Sequence, residues 1–361
     1  MNNSIRDLRQ AEFAEQWLNS NKRNILYLCA RFGKIYTSIN ILQRLNKNPT
    51  VLIAYPDKKI EKSWKEDFKK RGYDDVNITY TTHLSIKKYV NYLYDLIIID
   101  EVHLLSEAQI VACKELFEGN KQILGLTGTL SKWTEKVLRE DLGLKVLARY
   151  SMETAIKEGI LPDYEITIVK VALDNKVLND YKGKKRTEKK RFDSFLWVVN
   201  KLEANEEPSF FMKLKIIDVL MNSLSRKNKT IELIEKHKEE RVLIFCGRIE
   251  IADSLGIPSY HSKSTEKDVF EKFANGEGKH LVVIKVGNTG VNYIPLNRVI
   301  INYTDSNSEN LTQKILRCMS MEYNNPDKKA LIYIVTSTEP LELRWVNKAL
   351  EFFDKNKIKY L

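Results

Sequence analysis

The sequence predicts an α/β protein of two lobes, each built around a parallel β-sheet covered by helices. Short apolar runs of strand length alternate with amphipathic stretches in the first part of the chain, and the same alternation returns near the end. Fully apolar strands that alternate with helical segments are typical of a parallel sheet buried on both faces. A chain of 361 residues is long enough for two domains with separate cores.

Apolar runs mark each expected strand. They are ILYLCA (25–30), VLIAY (51–55), NITYT (77–81), YDLIIID (94–100) and ILGLT (123–127) in the first lobe, and VLIFC (242–246), LVVIK (281–285), RVIINY (298–303) and ALIYIV (330–335) in the second. The predicted domains are a first lobe at 1–147 and a second lobe at 238–361. Residues 148–237 are expected to form a short basic connector or small insertion, in which YEITIVKVAL is an extended strand leaving the first lobe.

The composition favours a globular cytoplasmic protein. Apolar residues make up 43% of the chain and charged residues 30%, and no apolar run is long enough to cross a bilayer. The start MNNSIRDLRQ has no apolar segment typical of a secretory signal. The four cysteines form no CxxC pair, which argues against a zinc site and for a reducing compartment.

The charge indicates a polyanionic partner. The formal net charge of +11 is typical of proteins that bind phosphate backbones, and the alternative is a solvated lysine-rich surface. Trp64 and Trp197 lie in basic surroundings, where an aromatic ring either stacks on bases or packs in the protein.

A phosphate-binding turn is expected after the first strand, where Gly33 and Lys34 stand in ARFGKIYTS. Such a turn holds phosphates with backbone N–H groups and a helix N-terminus, and its lysine reaches the β- and γ-phosphate oxygens. The pattern is incomplete, because the upstream glycine is missing and Ile35 replaces the hydroxyl residue that would bind Mg²⁺. A chance turn with a surface lysine is the alternative.

An acidic pair follows the fourth strand, in Asp100-Glu101-Val102-His103. In a Walker B arrangement Asp100 would hold Mg²⁺, commonly through water, and Glu101 would orient the attacking water. Two acidic helix N-caps are the alternative, but the order of the two motifs along the chain favours a nucleoside triphosphate site. The next strand ends in Thr127-Gly128-Thr129, which suits a tight turn at such a site.

DEVH, then TGT, then QKILR in the second lobe resembles the superfamily 2 helicases, most closely the small phage and restriction-type members of the DEAD/DEAH-like group. The resemblance covers most of the chain and implies two RecA-like lobes that close on ATP and Mg²⁺. It implies coupling roles for His103, Thr127 and Thr129. It also implies that Gln10 reads adenine, and that Lys58, Lys59 and Thr82 contact a nucleic-acid backbone.

The resemblance extends to the second lobe. There it implies a backbone contact at Ser262, in HSK, and a motif that couples nucleic acid to ATP at Gly290 and Asn292. Gln313 and Arg317 match a motif that reaches the γ-phosphate, where an arginine stabilises charge on the transferring phosphoryl group. Leu316 and Ser320 depart from that motif.

Two readings of the function therefore stand. In the first, the chain is an ATP-dependent translocase or helicase, with DNA favoured over RNA and with partners in replication, recombination or restriction. In the second, Ile35, Leu316 and Ser320 leave a helicase-like protein that binds nucleic acid and hydrolyses ATP poorly. A helicase-like subunit of a restriction or nuclease assembly is a further alternative, although no nuclease motif is apparent. A metabolic kinase would need neither TGT nor a second lobe.

Overall fold

The computed structural model describes residues 4–45, 48–73, 77–181, 184–202, 210–264, 268–284, 296–304, 308–319 and 327–361. The chain divides into two compact units, Met1–Leu161 and Pro162–Leu361. Each unit contains one large parallel sheet with helices packed against it, which confirms the predicted fold class.

The first unit is built around a six-stranded parallel sheet with the order β3-β2-β4-β5-β1-β6. Its strands are β1 (Arg23–Leu28), β2 (Val51–Tyr55), β3 (Ile78–Thr82), β4 (Leu96–Ile99), β5 (Ile123–Thr127) and β6 (Lys145–Tyr150). Its helices are α1 (Ile5–Leu18), α2 (Lys34–Leu42), α3 (Lys59–Lys70), α4 (Glu107–Gly119), α5 (Lys132–Leu142) and α6 (Met152–Lys157), with 3₁₀ turns at His83–Tyr89 and Val102–Leu104. The five strands predicted for this lobe are confirmed, and β6 is an addition.

Both faces of this sheet are buried, because successive side chains of a strand point to opposite faces. In β4, Leu96 and Ile98 pack in one core with residues of α1, α2 and α3. Ile97 and Ile99 pack in a second core with residues of α4 and α5. The uninterrupted apolar strands of the sequence are therefore explained by helices on both sides of the sheet.

The second unit has a seven-stranded parallel sheet with the order β11-β12-β10-β13-β14-β7-β15, and a separate antiparallel pair, β8-β9. Its strands are β7 (Asp163–Val171), β8 (Asn179–Tyr181), β9 (Lys184–Arg186), β10 (Val242–Phe245), β11 (Ser259–Tyr260), β12 (His280–Val283), β13 (Arg298–Ile301), β14 (Lys329–Ser337) and β15 (Ile358–Tyr360). Its helices are α7 (Glu188–Leu202), α8 (Phe210–Met221), α9 (Leu224–Lys236), α10 (Ile249–Asp253), α11 (Val269–Ala274), α12 (Ser308–Ile315) and α13 (Pro340–Ala349), with 3₁₀ turns at Leu316–Cys318 and Lys355–Lys357.

The structure divides the described residues of 148–237 between the two units, at Leu161 and Pro162. The end of β6 and the whole of α6 belong to the first unit. β7, expected to be a strand leaving the first lobe, is an inner strand of the second sheet, where it pairs with β14 and β15. Its burial is consistent with this position, because the four consecutive residues 166–169 are all buried. The basic stretch KGKKRTEKKR (182–191) contains β9 and the start of α7.

Candidate functional site

Three neighbouring strands of the first sheet lead into the residues that the motifs predict. β4, β5 and β1 are adjacent in the sheet. Asp100 directly follows β4, Thr127 ends β5, and the turn after β1 leads to Lys34. Parallel strands share one carboxyl edge, which is where open α/β sheets bind ligands.

Lys34 connects the turn after β1 with the acidic pair after β4. Its Nζ forms an ion pair with Glu101 and lies 3.9 Å from Asp100 Oδ1. The exposed fractions of the side chains are 14% for Lys34, 8% for Asp100 and 28% for Glu101. Burial opposes the charge of the lysine, but the two carboxylates outweigh burial and raise the pKa of Lys34. Lys34 is therefore a cation held between two acids.

The two acids differ in their electrostatic surroundings. Burial, together with the charge of Glu101, raises the pKa of Asp100 against the opposing effect of Lys34. Burial also acts against ionisation of Glu101, but Lys34 and His103 together lower the pKa of Glu101. Because two carboxylates share one ammonium group, the site carries surplus negative charge that suits a hard cation.

Gly33 places the N-terminus of α2 beside Lys34. Its φ of +105° lies in the left-handed region, and a Cβ at this position would collide with the side chain of Gln10, so only glycine fits without strain. Among the residues that the structure describes, no side chain caps α2. The free N–H groups of its first turn, together with the helix dipole, therefore favour an anion at this end.

Gln10, predicted to read adenine, lies against the same turn. It is fully buried in α1, and its Nε2 donates a hydrogen bond to the carbonyl oxygen of Phe32 at 2.9 Å. Within the described part of the chain, its Oε1 has no hydrogen-bond partner. A buried carbonyl oxygen without a donor is costly, and a ligand with an amino group would remove that cost.

The backbone is strained at the same edge of the sheet. Glu101 and Arg31 have φ values of +50° and +66°, in the left-handed region that residues other than glycine rarely adopt. Such strain persists where the surrounding structure imposes it, commonly at functional sites. Here it occurs in the two turns that present the acidic pair and Lys34.

The DEVH and TGT segments are joined through His103. Its Nδ1 lies 2.8 Å from Thr127 Oγ1, and its Nε2 lies 3.0 Å from Thr129 Oγ1. Glu101 approaches the same ring, with Oε2 at 3.5 Å from Nδ1. The backbone N–H of Gly128 also donates to Glu101 and helps to lower the pKa of that carboxyl. The structure thus brings the three predicted coupling residues together beside the acidic pair.

Two buried residues contact Asp100 that the sequence interpretation did not assign to the site. Trp64 is fully buried and its Nε1 donates to Asp100 Oδ2 at 3.2 Å, so it packs in the protein and does not stack on bases. His83 Nε2 lies 2.9 Å from the carbonyl oxygen of Asp100. Burial lowers the pKa of His83 to about 4. Trp197, by contrast, is 62% exposed, and Lys201 Nζ lies 4.9 Å from its ring centre.

The predicted backbone-contacting residues of the first unit lie at the start of α3 and the end of β3. Lys58 is exposed and immediately precedes α3. Thr82 is half-buried, with its hydroxyl 3.5 Å from that of Ser85. The side chain of Lys59 lies outside the described structure.

The predicted residues of the second unit are in less uniform surroundings. Ser262 and Gln313 are exposed, whereas Arg317 is only 6% exposed in the 3₁₀ turn after α12. Gly290 and Asn292 lie outside the described residues.

The three departures from the family pattern have different surroundings. Ile35 packs against the core of the first unit, and Leu316 is buried. The hydroxyls of Thr37 and Ser38 lie 3.3 and 3.1 Å from the carbonyl oxygens of Gly33 and Lys34. Neither hydroxyl is therefore a ready replacement at position 35, where Ile35 offers no metal ligand. Ser320 lies outside the described structure.

Among the described residues, no group of three or more His, Cys, Asp and Glu side chains is arranged to hold a metal ion. The helices within that part of the chain include none with the length and apolar character needed to cross a membrane.

Comparison with known proteins finds similarity to helicases and translocases. Residues 225–322 match the family model of the helicase conserved C-terminal domain. The chain is 25% identical to the DNA 3'-5' translocase XPB2 of Sulfurisphaera tokodaii over 363 residues, covering 91% of this chain and 80% of the translocase.

Two solved structures share the fold. The helicase domain of Hef from Pyrococcus furiosus has a TM-score of 0.57 at 13% identity and covers 95% of this chain and 99% of its own. The ATP-dependent Type ISP restriction-modification enzyme LlaBIII bound to DNA has a TM-score of 0.62 at 13% identity, covering 100% of this chain and 31% of its own.

The fold and the site define a two-lobed RecA-like protein with a lysine and an acidic pair at the carboxyl edge of its first sheet. The match to the helicase C-terminal model and the similarity to a translocase show that the chain is similar to superfamily 2 helicases. The expected similarity to superfamily 2 helicases is thereby confirmed.

Proposed function

We propose that the chain is an ATP-dependent DNA translocase or helicase that hydrolyses ATP at the carboxyl edge of its first sheet. The observation that carries this proposal is the contact of Lys34 with both acids of the DEVH segment. A chance turn with a surface lysine and a pair of acidic helix N-caps would not be expected to form such an ion-paired cluster.

The residues present fit a Mg²⁺–nucleotide complex. The free end of α2 and Lys34 would bind the phosphates, and the unpartnered Oε1 of Gln10 would accept from an adenine amino group. The surplus carboxylate charge would hold Mg²⁺ through Asp100, and the ion would neutralise charge on the phosphates. Binding would require Lys34 to exchange carboxylate partners for phosphate oxygens.

Glu101 is the residue that we assign to proton transfer. Its low pKa and its position in the strained turn leave an ionised carboxylate that would orient the attacking water and accept its proton. Once Lys34 binds phosphate, Glu101 would lose its main cationic partner and become a stronger base. His103 would then pass the change in Glu101 to Thr127 and Thr129.

DNA is the polyanion that we propose as partner, since the translocase relative and a solved structural neighbour are named for DNA. The formal net charge of +11 supports such a partner. Lys58, Lys59 and Thr82 are the proposed contacts in the first unit, with Ser262 and Asn292 in the second. Gln313, Gly290 and Arg317 retain the ATP-related roles that the resemblance implies.

A helicase-like protein with impaired hydrolysis is the second candidate. The observation that favours it is the apolar packing of Ile35 where the family has a metal-binding hydroxyl. Loss of one ligand weakens Mg²⁺ binding and does not abolish it, whereas Lys34, Asp100 and Glu101 are all present. The hydrolysing enzyme is therefore our first choice.

Hydrolysis of ATP, measured with single-stranded, duplex and branched DNA and with RNA, tests this proposal. We expect DNA to stimulate the wild-type rate, and we expect Glu101→Gln to stay at background with every nucleic acid. A wild-type rate equal to that of Glu101→Gln throughout would overturn the enzyme and favour the binding protein. Stimulation by RNA alone would overturn the choice of DNA.

A further inference from the structure

Asp100 is held from two directions by residues outside its own strand. The indole N–H of Trp64 donates to its carboxylate, and the ring of His83 lies against its carbonyl oxygen. Because a carbonyl oxygen only accepts, His83 must donate through Nε2, which fixes the tautomer of a neutral ring. Both side chains are buried, with exposed fractions of 0% for Trp64 and 3% for His83.

Each of these residues lies close in sequence to a residue that we propose to contact DNA. Trp64 lies in α3, about two helical turns after Lys58. His83 directly follows Thr82 at the end of β3. The two proposed DNA-contacting segments of the first unit therefore converge on the same residue, Asp100.

The connection through α3 is stiff. Tyr55, at the end of β2, donates its hydroxyl to Glu61 at 2.7 Å and ties the first turn of the helix to the sheet. Trp64 packs against Phe68 with ring centres 5.7 Å apart, within the main core of the unit. Close-packed interiors transmit displacement, so a shift at the start of α3 would move the indole N–H.

The indole bond also governs the orientation of the carboxylate. Asp100 Oδ2 accepts from Trp64, while Oδ1 accepts from the backbone N–H of Glu101 at 3.0 Å and lies 3.9 Å from Lys34 Nζ. These contacts divide the two oxygens between the core and the ligand side of the site. Rotation of the carboxylate about its bond to Cβ would therefore move Oδ1 relative to Lys34 and change how Asp100 could hold Mg²⁺.

We propose that Trp64 and His83 are positioning residues that couple DNA bound at Lys58 and Thr82 to the orientation of Asp100, and thereby set DNA stimulation of hydrolysis. The inference rests on the proposed function and extends it. Neither residue touches the reacting atoms; each acts through Asp100. The competing explanation is that both residues only pack the core.

Trp64→Phe separates these explanations, because phenylalanine keeps an aromatic ring but has no N–H. Trp17→Phe is the matched control: Trp17 is also fully buried in the same core, and its Nε1 has no hydrogen-bond partner within the described residues. We expect Trp64→Phe to lower the ratio of hydrolysis rates with and without single-stranded DNA by about tenfold, the equivalent of one charge-assisted hydrogen bond. The Mg²⁺ concentration for half-maximal rate should also rise. Trp17→Phe should keep both quantities at wild-type values.

His83 gives a second, independent variant. His83→Phe removes the donor to Asp100 and should lower the same ratio, whereas His83→Gln keeps an N–H donor and should recover part of it. A role in packing alone predicts the same ratio for both variants once each is shown to be folded by circular dichroism. This pair also tests the coupling if Trp64→Phe does not fold.

The outcomes distinguish this inference from the function on which it rests. If the wild-type protein hydrolyses ATP at the same rate with and without DNA, both the coupling and the proposed DNA-dependent function are overturned. Stimulation that survives Trp64→Phe and His83→Phe, or that falls equally in Trp17→Phe, would overturn the coupling and leave the enzyme intact.

Discussion

Each unit contains an ion-pair cluster, partly buried in the first unit and fully buried in the second, and the two clusters are built differently. In the second unit, Glu342 accepts from the guanidinium of Arg226, the hydroxyl of Thr304 and the backbone N–H of Ser337 at 2.8 Å. Arg226 also donates to the carbonyl oxygen of Asn302 at 3.1 Å. Burial opposes the charge of Glu342, but these partners hold its pKa below the ordinary value. The charge is matched one to one and the cluster is complete without a ligand.

In the first unit, one lysine serves two adjacent carboxylates, and burial raises the pKa of Asp100. This cluster has surplus negative charge and a strained turn at Glu101. The comparison teaches that burial of charge alone does not mark a functional site. The cluster with more acidic than basic side chains is the one suited to exchange ion-pair partners with a ligand.

The largest expected effect is the loss of stability when the Arg226–Glu342 ion pair is broken. Glu342→Ala should lower the free energy of unfolding by about 3–5 kcal/mol, because it leaves the Arg226 guanidinium buried without its carboxylate. Denaturant unfolding measures this loss. Glu153→Ala, which removes one member of an exposed pair with Lys157, is the control and should cost far less, because solvent screens an exposed pair. Equal losses in the two variants would contradict the assignment of Glu342 to stability.

Lys34→Met should reverse the balance between activity and stability. We expect hydrolysis to fall about 100- to 1,000-fold, as on loss of a group that stabilises transition-state charge. Stability should fall less than in Glu342→Ala, because Asp100, whose pKa is already raised, would take up a proton once the lysine is gone. Hydrolysis and denaturant unfolding of the same preparation provide both values. A variant as unstable as Glu342→Ala would place Lys34 with the structural pairs.

Thr127→Val sharpens the comparison at the level of single hydroxyls. Thr127 is fully buried and bonds to His103 at 2.8 Å, so its loss should cost about 1–3 kcal/mol of unfolding free energy. Thr336 in the second unit is equally buried, but its hydroxyl has no partner in the described part of the chain. Thr336→Val should therefore be neutral or stabilising. Thermal unfolding of both variants tests this difference. An equal loss of unfolding free energy in the two variants would contradict it.

The smallest expected effect concerns the DNA contact at Lys58. If this exposed side chain neutralises one phosphate, Lys58→Ala should reduce the slope of log affinity against log salt by about 0.7–0.9. Titrations of single-stranded DNA at several salt concentrations measure that slope. Lys157→Ala is the matched control on another exposed lysine, and it should leave the slope unchanged. The contact is excluded if both variants behave alike.

The local motifs allowed much of the first unit to be predicted from sequence. VLIAY and ILGLT coincide with β2 and β5, because strands buried on both faces are uninterrupted apolar runs. Asp100, Glu101 and Lys34 were found because each directly follows a strand or its turn. The carboxyl edge of a parallel sheet then brings such residues together.

Ion pairs and hydrogen bonds between residues far apart in the chain have no comparable sequence motif. Arg226 and Glu342 are far apart in sequence, and neither lies in a recognisable motif. The sequence predicts β7 as a strand of the connector, because its apolar alternation shows that it is a strand but not that it joins the second sheet. The sequence allows Trp64 either to stack on bases or to pack in the protein, because its hydrogen bond to Asp100 depends on how α3 packs against β4.

Equilibrium binding of a fluorescent ATP analogue with Mg²⁺ to the wild type, Lys34→Met and Glu101→Gln tests the central claim most directly, combined with hydrolysis of ATP by each. If Lys34 and the acidic pair serve one triphosphate, Glu101→Gln should bind like the wild type yet hydrolyse at least about 100-fold more slowly, and Lys34→Met should bind much more weakly. Wild-type affinity in Lys34→Met, or wild-type hydrolysis in Glu101→Gln, would contradict the account.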